Sequence, residues 1–415
     1  MTARRRPFLV VALALFTLRC HEPSTAPTPI THLPRDLTAA EGRLVSTDNR
    51  FAFKLFRQIA DRTPADSSLF ISPLSVAMAL TMTYNGAAGS TQQDMATALE
   101  LNDFPLDELN ASYRGLIDLL RGLDRQVTFE IANSIWYRHD WTFEQAFLDA
   151  NRSYFDAAVR PLDFASPTAA QTINAWVNER TRGKIPSIVE DPLPADDVMY
   201  LINAIYFKGS WTEQFDKSRT TAGPFRLRDG STTMVQMMST AEPVRVRLAW
   251  SPDVTVLDLP YGGQAFSMTI VLPAEPGGLD SLIATLTEDR WNAWTAALHS
   301  GEVGVVLPKF RFSYDASLQE ALSALGMGHA FCGPWVTDLT RIRTAGDLCI
   351  TKVKHKAFVD VNEEGTEAAA ATSVGVGVTS APQTISVDRP FLFAIRENLS
   401  GTILFLGRVM RPEVN

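Results

Sequence analysis

The stretch Glu363-Glu-Gly-Thr-Glu-Ala-Ala-Ala-Ala-Thr-Ser-Val-Gly-Val-Gly-Val-Thr-Ser-Ala-Pro382 constrains what this chain can fold into more than any other. It has no aromatic residue and no charge after Glu367, the composition of an exposed loop. Its order is that of a strand. Thr366, Ala368, Ala370, Thr372, Val374, Val376 and Val378 alternate with Glu367, Ala369, Ala371, Ser373, Gly375, Gly377 and Thr379, a period of two with one apolar face. Small residues lead and valines follow, so the segment could slip between existing strands without a clash and then fill a core. Alanine is also the best helix former, and a short helix or low-complexity linker is the competing reading. Gly375 and Gly377 weaken it, but these residues alone leave both readings open.

The rest of the chain can supply a host for such a strand. With 46% hydrophobic and 20% charged residues it can bury a sizeable core. Length alone allows several domains, yet no linker follows Pro34 and no repeat of 20 to 50 residues is found, so residues 37–415 are read as one domain. Ser72-Pro73 caps a helix with the favoured first-turn proline, Val76 to Met82 is largely apolar and Asn85-Gly86 is a stop. Val198 to Phe207, Phe266 to Leu272 and Val303 to Phe312 read as strands. Ser317 with Glu320 reads as a capping box for a helix closed at Gly326. Helices early and strands late predict an α+β fold with large antiparallel sheets, not a doubly wound one.

Several function classes are disfavoured. A formal charge of -8 argues against nucleic acid, and Arg114, Arg121 and Arg125 are interspersed with apolar and acidic residues, which does not make a patch for sulfated polysaccharides. There is no Gly-x-Ser-x-Gly elbow, no His-Glu-x-x-His site and no metal-ligand spacing. No enzyme, cofactor or metal is expected.

The N-terminus carries Arg4, Arg5 and Arg6 ahead of a mostly apolar run from Phe8 to Leu18. This is an export signal, residues 1–20, too short to span a bilayer. Arg5-Arg6-Pro7-Phe8-Leu9 also fits a twin-arginine signal weakly. Cys20 stands where a bacterial lipoprotein carries its lipid, but Arg19 replaces the small residue expected before it, and lipidation stays open. The protein is therefore expected to be secreted or held in a bacterial envelope, meeting a membrane only through a lipid on Cys20. Residues 21–36, rich in Pro and Thr, read as a flexible tether. Cys332 and Cys349 would pair in an oxidising compartment or remain two buried thiols; their separation does not decide between these.

Five motifs in order carry a family resemblance. Phe70-Ile-Ser-Pro-Leu-Ser75, Asn174-Ala-Trp-Val-Asn-Glu-Arg-Thr-Arg-Gly-Lys-Ile185, Asn203-Ala-Ile-Tyr-Phe-Lys-Gly-Ser-Trp211, Glu363-Glu364-Gly365-Thr366-Glu367-Ala368-Ala369-Ala370-Ala371-Thr372 and Asp388-Arg-Pro-Phe-Leu-Phe393 resemble the motifs of serpins, from about Leu37 to Pro412. The resemblance implies the serpin fold, helices packed on a large, mostly antiparallel central sheet with smaller sheets and an exposed reactive loop at about 363–387. It implies a suicide inhibitor, monomeric while active, that captures a serine protease as an acyl-enzyme while the cut loop enters the sheet. The hinge would run from Glu363 to Thr372. From Gly365 to Thr379 is 15 residues, roughly 50 Å of travel at about 3.3 Å each.

Family spacing, counted forward from Glu363 and back from Pro390, places the scissile bond at Thr379-Ser380, flanked by Val376, Gly377, Val378 and Ala381. Those side chains suit an elastase-like or subtilisin-like protease, with cleavage after Val378 as an alternative. By the same resemblance Lys309 pairs with Glu363 beside Trp211, and Ser72, Ser75, Asn203 and His355 form a polar cluster under the sheet. A non-inhibitory serpin acting as a binding module, and a cross-class inhibitor of cysteine proteases, are the competing functions.

Overall fold

Thr38 starts the first helix with a reciprocal cap. Its hydroxyl accepts the Glu41 N–H at 3.1 Å and the Glu41 carboxylate accepts the Thr38 N–H at 2.8 Å, satisfying donors that a helix start leaves free. The computed structural model describes residues 28–366 and 383–413. Its early helices are α1 (Ala39–Ala60), α2 (Pro73–Tyr84), α3 (Gly89–Ala98), α4 (Leu106–Leu120), α5 (Gln145–Phe155) and α6 (Ala169–Arg180), followed late in the chain by the short α7 (Leu279–Ala284), α8 (Glu288–Ala296) and α9 (Gln319–Leu322). Ser72 caps α2 and Pro73 stands in its first turn. That helix is buried nearly all round, as its apolar sequence requires.

The strands are β1 (Leu69–Ile71), β2 (Val127–Arg138), β3 (Ala158–Leu162), β4 (Met199–Ser210), β5 (Asp216–Arg226), β6 (Thr232–Ser239), β7 (Val244–Trp250), β8 (Val254–Tyr261) and β9 (Phe266–Pro273). They continue as β10 (His299–Pro308), β11 (Phe310–Ser317), β12 (Lys354–Asn362), β13 (Gly365–Thr366), β14 (Thr384–Ser386), β15 (Phe391–Glu397) and β16 (Ile403–Val409). Ten strands form one sheet, in the order β1-β16-β15-β9-β8-β7-β10-β6-β5 with β14 beside β10. Six form the other, in the order β11-β12-β13-β4-β2-β3. The pairs are antiparallel except β10 with β14 and β2 with β3. This is the expected α+β architecture. β9, β15 and β16 are buried throughout, so they read as continuous apolar runs. The six-stranded sheet has the main core on one face. On the other, α6 covers a small cluster containing Trp136, Ile173, Trp176 and Ile202.

Four expectations are corrected. Val303 to Phe312 is not one strand: β10 belongs to the larger sheet, β11 to the smaller, and the chain crosses between them at Lys309, whose N–H bonds the Gln236 carbonyl at 2.8 Å. Ser317 does not cap a helix, because it is the last residue of β11, paired with Lys354; the Leu318 N–H then bonds the Val353 carbonyl at 2.8 Å. The loop expected at 363–387 is shorter, since Gly365 and Thr366 already lie in the sheet as β13 and Thr384 to Ser386 pair with β10. The tether is not free along its whole length: the Ile30 N–H bonds the Gly263 carbonyl at 2.7 Å, and Arg35 grips Glu41 through contacts of 2.7 and 2.6 Å.

Candidate functional site

The six-stranded sheet is incomplete in its middle. β13 pairs antiparallel with both neighbours: Thr366 faces Val361 and Gly209, and Gly365 faces Asn362 and Ser210. Below those two residues β12 bonds only β11 and β4 bonds only β2 among the described strands. Their facing edges border a cavity of about 490 Å³, lined by Val76, Ala79, Asn203, Ile205, His355 and Ala357 among others. Unpaired strand edges are a template for another strand. Gly365 is required at the entrance: its φ is +151°, and a Cβ there would lie 2.1 Å from the Gly209 carbonyl oxygen.

The upper end of this gap is held by a latch. Lys309 Nζ meets Glu363 Oε2 at 3.0 Å, and the Thr220 hydroxyl donates to Glu363 Oε1 at 2.8 Å. Burial alone would raise the Glu363 carboxyl, but bonds from the backbone, Thr220 and Lys309 outweigh it and hold the group below the usual carboxylate range. Glu364 is paired with Lys217. Trp211 donates its indole N–H to the Asn362 carbonyl and its backbone N–H to the Glu364 carbonyl, each at 2.9 Å. Its ring stacks on Tyr261 at 4.5 Å, and the Tyr261 hydroxyl bonds that of Thr366 at 2.7 Å. Lys309, Trp211 and Glu363 lie together here, while Thr220, Lys217 and Tyr261 were not singled out from the sequence.

Below the gap lies a buried polar cluster. The Ser72 N–H donates to His355 Nε2 at 3.0 Å, and the Ser72 hydroxyl donates to the Leu404 carbonyl at 2.8 Å while accepting the Ser75 N–H at 3.3 Å. The Ser75 hydroxyl reaches the Asn203 carbonyl at 3.3 Å. The Asn203 amide donates to Asn133 at 2.6 Å, and its Oδ1 is buried without a partner among the described residues. Burial lowers the His355 pKa to about 4, a nearby Asp315 opposing only weakly, so the ring is neutral and accepts. Ser72, Ser75, Asn203 and His355 are therefore assembled; Asn133 completes the set.

Cys332 and Cys349 are joined in a disulfide with Cα atoms 5.0 Å apart. Cys20, Glu367, Ala368, Ala369, Ala370, Ala371, Thr372, Val376, Gly377, Val378, Thr379, Ser380 and Ala381 lie outside the described residues.

A latched sheet with an open middle and a strand-patterned segment leading into it fits the family named by the motifs. The model of the serpin family, described as serine protease inhibitor, matches residues 46–412. The chain belongs to the serpin family. Leukocyte elastase inhibitor from Sus scrofa is 37% identical to this serpin over 382 residues, 89% of this chain and 100% of that one. Serpin B10 from Otolemur garnettii is 35% identical over 397 residues, 89% of this chain and 99% of that one. Human thyroxine-binding globulin with its hormone superposes with a TM-score of 0.81 at 30% identity, covering 91% of this chain and 100% of that one. Tengpin, a thermophilic serpin in its native state, gives 0.80 at 29%, covering 93% and 97%. As a member of a family of serine protease inhibitors, this serpin is not an enzyme. No helix among the described residues is long and apolar enough to cross a membrane.

Proposed function

We propose that this serpin inhibits serine proteases by inserting its cut reactive loop between β4 and β12. The observation that carries this is the register of β13. Continued downward, it sets Ala368 between Val359 and Phe207, Ala370 between Ala357 and Ile205, and Thr372 between His355 and Asn203. Alanines meet the narrow, buried positions, and a threonine hydroxyl meets the Asn203 oxygen that lacks a partner. Two unpaired edges gain their missing bonds at once, which favours insertion. The 13 residues from Glu367 to Thr379 then carry the acylated protease roughly 43 Å. Insertion of a serpin loop is a known case of strand addition and of released strain.

Cleavage is assigned to Thr379-Ser380, and Val376, Gly377 and Val378 ahead of it suit an elastase-like or subtilisin-like pocket. Relatives named leukocyte elastase inhibitor support that choice. The similarity to thyroxine-binding globulin favours a carrier, but Thr366 and four successive alanines suit insertion. The export signal and the Cys332–Cys349 disulfide support secretion or an envelope location, with Cys20 as the site for a lipid. The test is a panel of elastase-like, subtilisin-like, trypsin-like and cysteine proteases. The expected result is a denaturant-resistant one-to-one complex with the first two and release of a peptide beginning at Ser380. Cleavage without any complex would remove the inhibitory reading.

The latch yields a further expectation. Glu363→Lys places an ammonium beside Lys309 and Lys217 and leaves Thr220 without its acceptor. Breaking a buried pair costs several kcal/mol, and Lys309 is 31% exposed, so a discounted effect of about tenfold faster loss of active monomer is expected on mild heating. Native gels read it, and unchanged monomer content would count against the latch.

A further inference from the structure

The bottom of the gap is closed by contacts that cross it. Extended further, the β13 register brings Val376 level with Thr351 and Met199, and Val378 level with Cys349 and Asp197. Those positions are bridged in the intact protein. The Thr351 hydroxyl donates to Asp197 Oδ1 at 2.8 Å, from the segment ahead of β12 to the residues just before β4. Lys352 and Lys354, on the β12 side, each donate to Glu190 Oε1 at 3.0 Å. Glu190 belongs to the connection between α6 and β4, whose Ile185, Ile188 and Val189 line the cavity.

The anchor of this clasp is fixed on both sides. Asp197 also accepts the Tyr200 hydroxyl at 2.6 Å. The Cys332–Cys349 disulfide, with the Cys332 N–H on the Ile350 carbonyl at 3.2 Å and the Ile350 N–H on the Ala330 carbonyl at 3.0 Å, holds the segment that carries Thr351 and Lys352.

We infer that Thr351, Asp197, Glu190, Lys352 and Lys354 form a second clasp that divides loop insertion into two steps. Residues 368 to 372 enter without touching it, whereas residues 373 to 378, level with Lys354 through Cys349, enter only after it opens. These are positioning residues: none touches the protease. The inference rests on the insertion reading above, and the test separates the two.

Synthetic peptides with the sequences of residues 368–372 and 368–379 are offered to the intact protein, leaving its own β13 in place, and their incorporation is followed by the rise in thermal midpoint and by loss of inhibition. The variant is Thr351→Val with Glu190→Ala, which removes the crossing contacts and keeps Asp197 on Tyr200. Exposed and half-exposed contacts are individually weak, so the longer peptide should enter about threefold to tenfold faster in the variant, with the shorter one unchanged. Equal acceleration of both peptides would mean general loosening, and no acceleration of either would mean that no clasp exists; each result overturns the inference alone. Failure of both peptides to enter the wild type would instead overturn the insertion reading.

Discussion

Ala370→Arg is expected to convert this serpin from inhibitor to substrate, raising the number of molecules consumed per protease trapped by more than about tenfold while leaving the rate of encounter unchanged. On the proposed insertion, the β13 register would set residue 370 between Ala357 and Ile205, 5% and 8% exposed. A guanidinium there would be buried without an acidic partner, at a cost of several kcal/mol. In the proposed mechanism insertion races deacylation of the trapped enzyme, and each 1.4 kcal/mol against insertion would shift the race about tenfold. Ala370→Val, which adds only apolar volume, should remain an inhibitor. Titration against pancreatic elastase, scored by denaturant-resistant complex, measures both. One-to-one trapping by the arginine variant would show that residue 370 never enters the sheet. Thr366, the leading strand residue in the sequence pattern, is the poorer place for this test: it is already buried in β13 against Tyr261, so an arginine there would disturb the uncut fold as well.

That difference between positions 366 and 370 marks where the sequence stopped being informative. The cap at Ser72-Pro73 is a local signal, and α2 begins at Pro73 as that cap requires; of the period-two pattern from Thr366 only its first residue lies among the described residues, in β13. Sheet membership is not local. Nothing in the apolar alternation of Val303 to Phe312 says that the chain changes sheets at Lys309, the crossing that presents Lys309 to Glu363. Ser317 and Glu320 have capping spacing, but strand pairing with Lys354 claims Ser317 first. Asn133 hides in the same way: one polar residue in β2 acquires a role only because antiparallel pairing sets it opposite Asn203. The family resemblance reached Lys309, Glu363, Ser72 and His355, whereas their partners across the sheet became visible only with the register.

Lowering the pH from 7 to 4 is expected to remove about 3 kcal/mol of the unfolding free-energy difference between the wild type and His355→Asn. His355 has its pKa lowered to about 4 by burial, whereas the unfolded imidazole takes a proton near 6.5. Between those values the unfolded chain binds more protons, so stability is fully present above pH 6.5 and is lost as the pH falls toward 4. The wild type alone hides this. Asp48, fully buried under the helices with only one oxygen bonded, to the Tyr113 hydroxyl at 2.8 Å, has its carboxyl pushed up to about 7 by burial. Its folded form binds the proton first, so its contribution runs the other way and grows as pH falls from 7 toward 4. The difference between wild type and Asp48→Asn should therefore move oppositely, by about 3 kcal/mol. Urea midpoints of the three proteins across this range read the two slopes separately. Parallel curves for wild type and His355→Asn would mean that the folded ring takes a proton as readily as the unfolded one, and at pH 4 the Ser72 N–H could then no longer be donating to it.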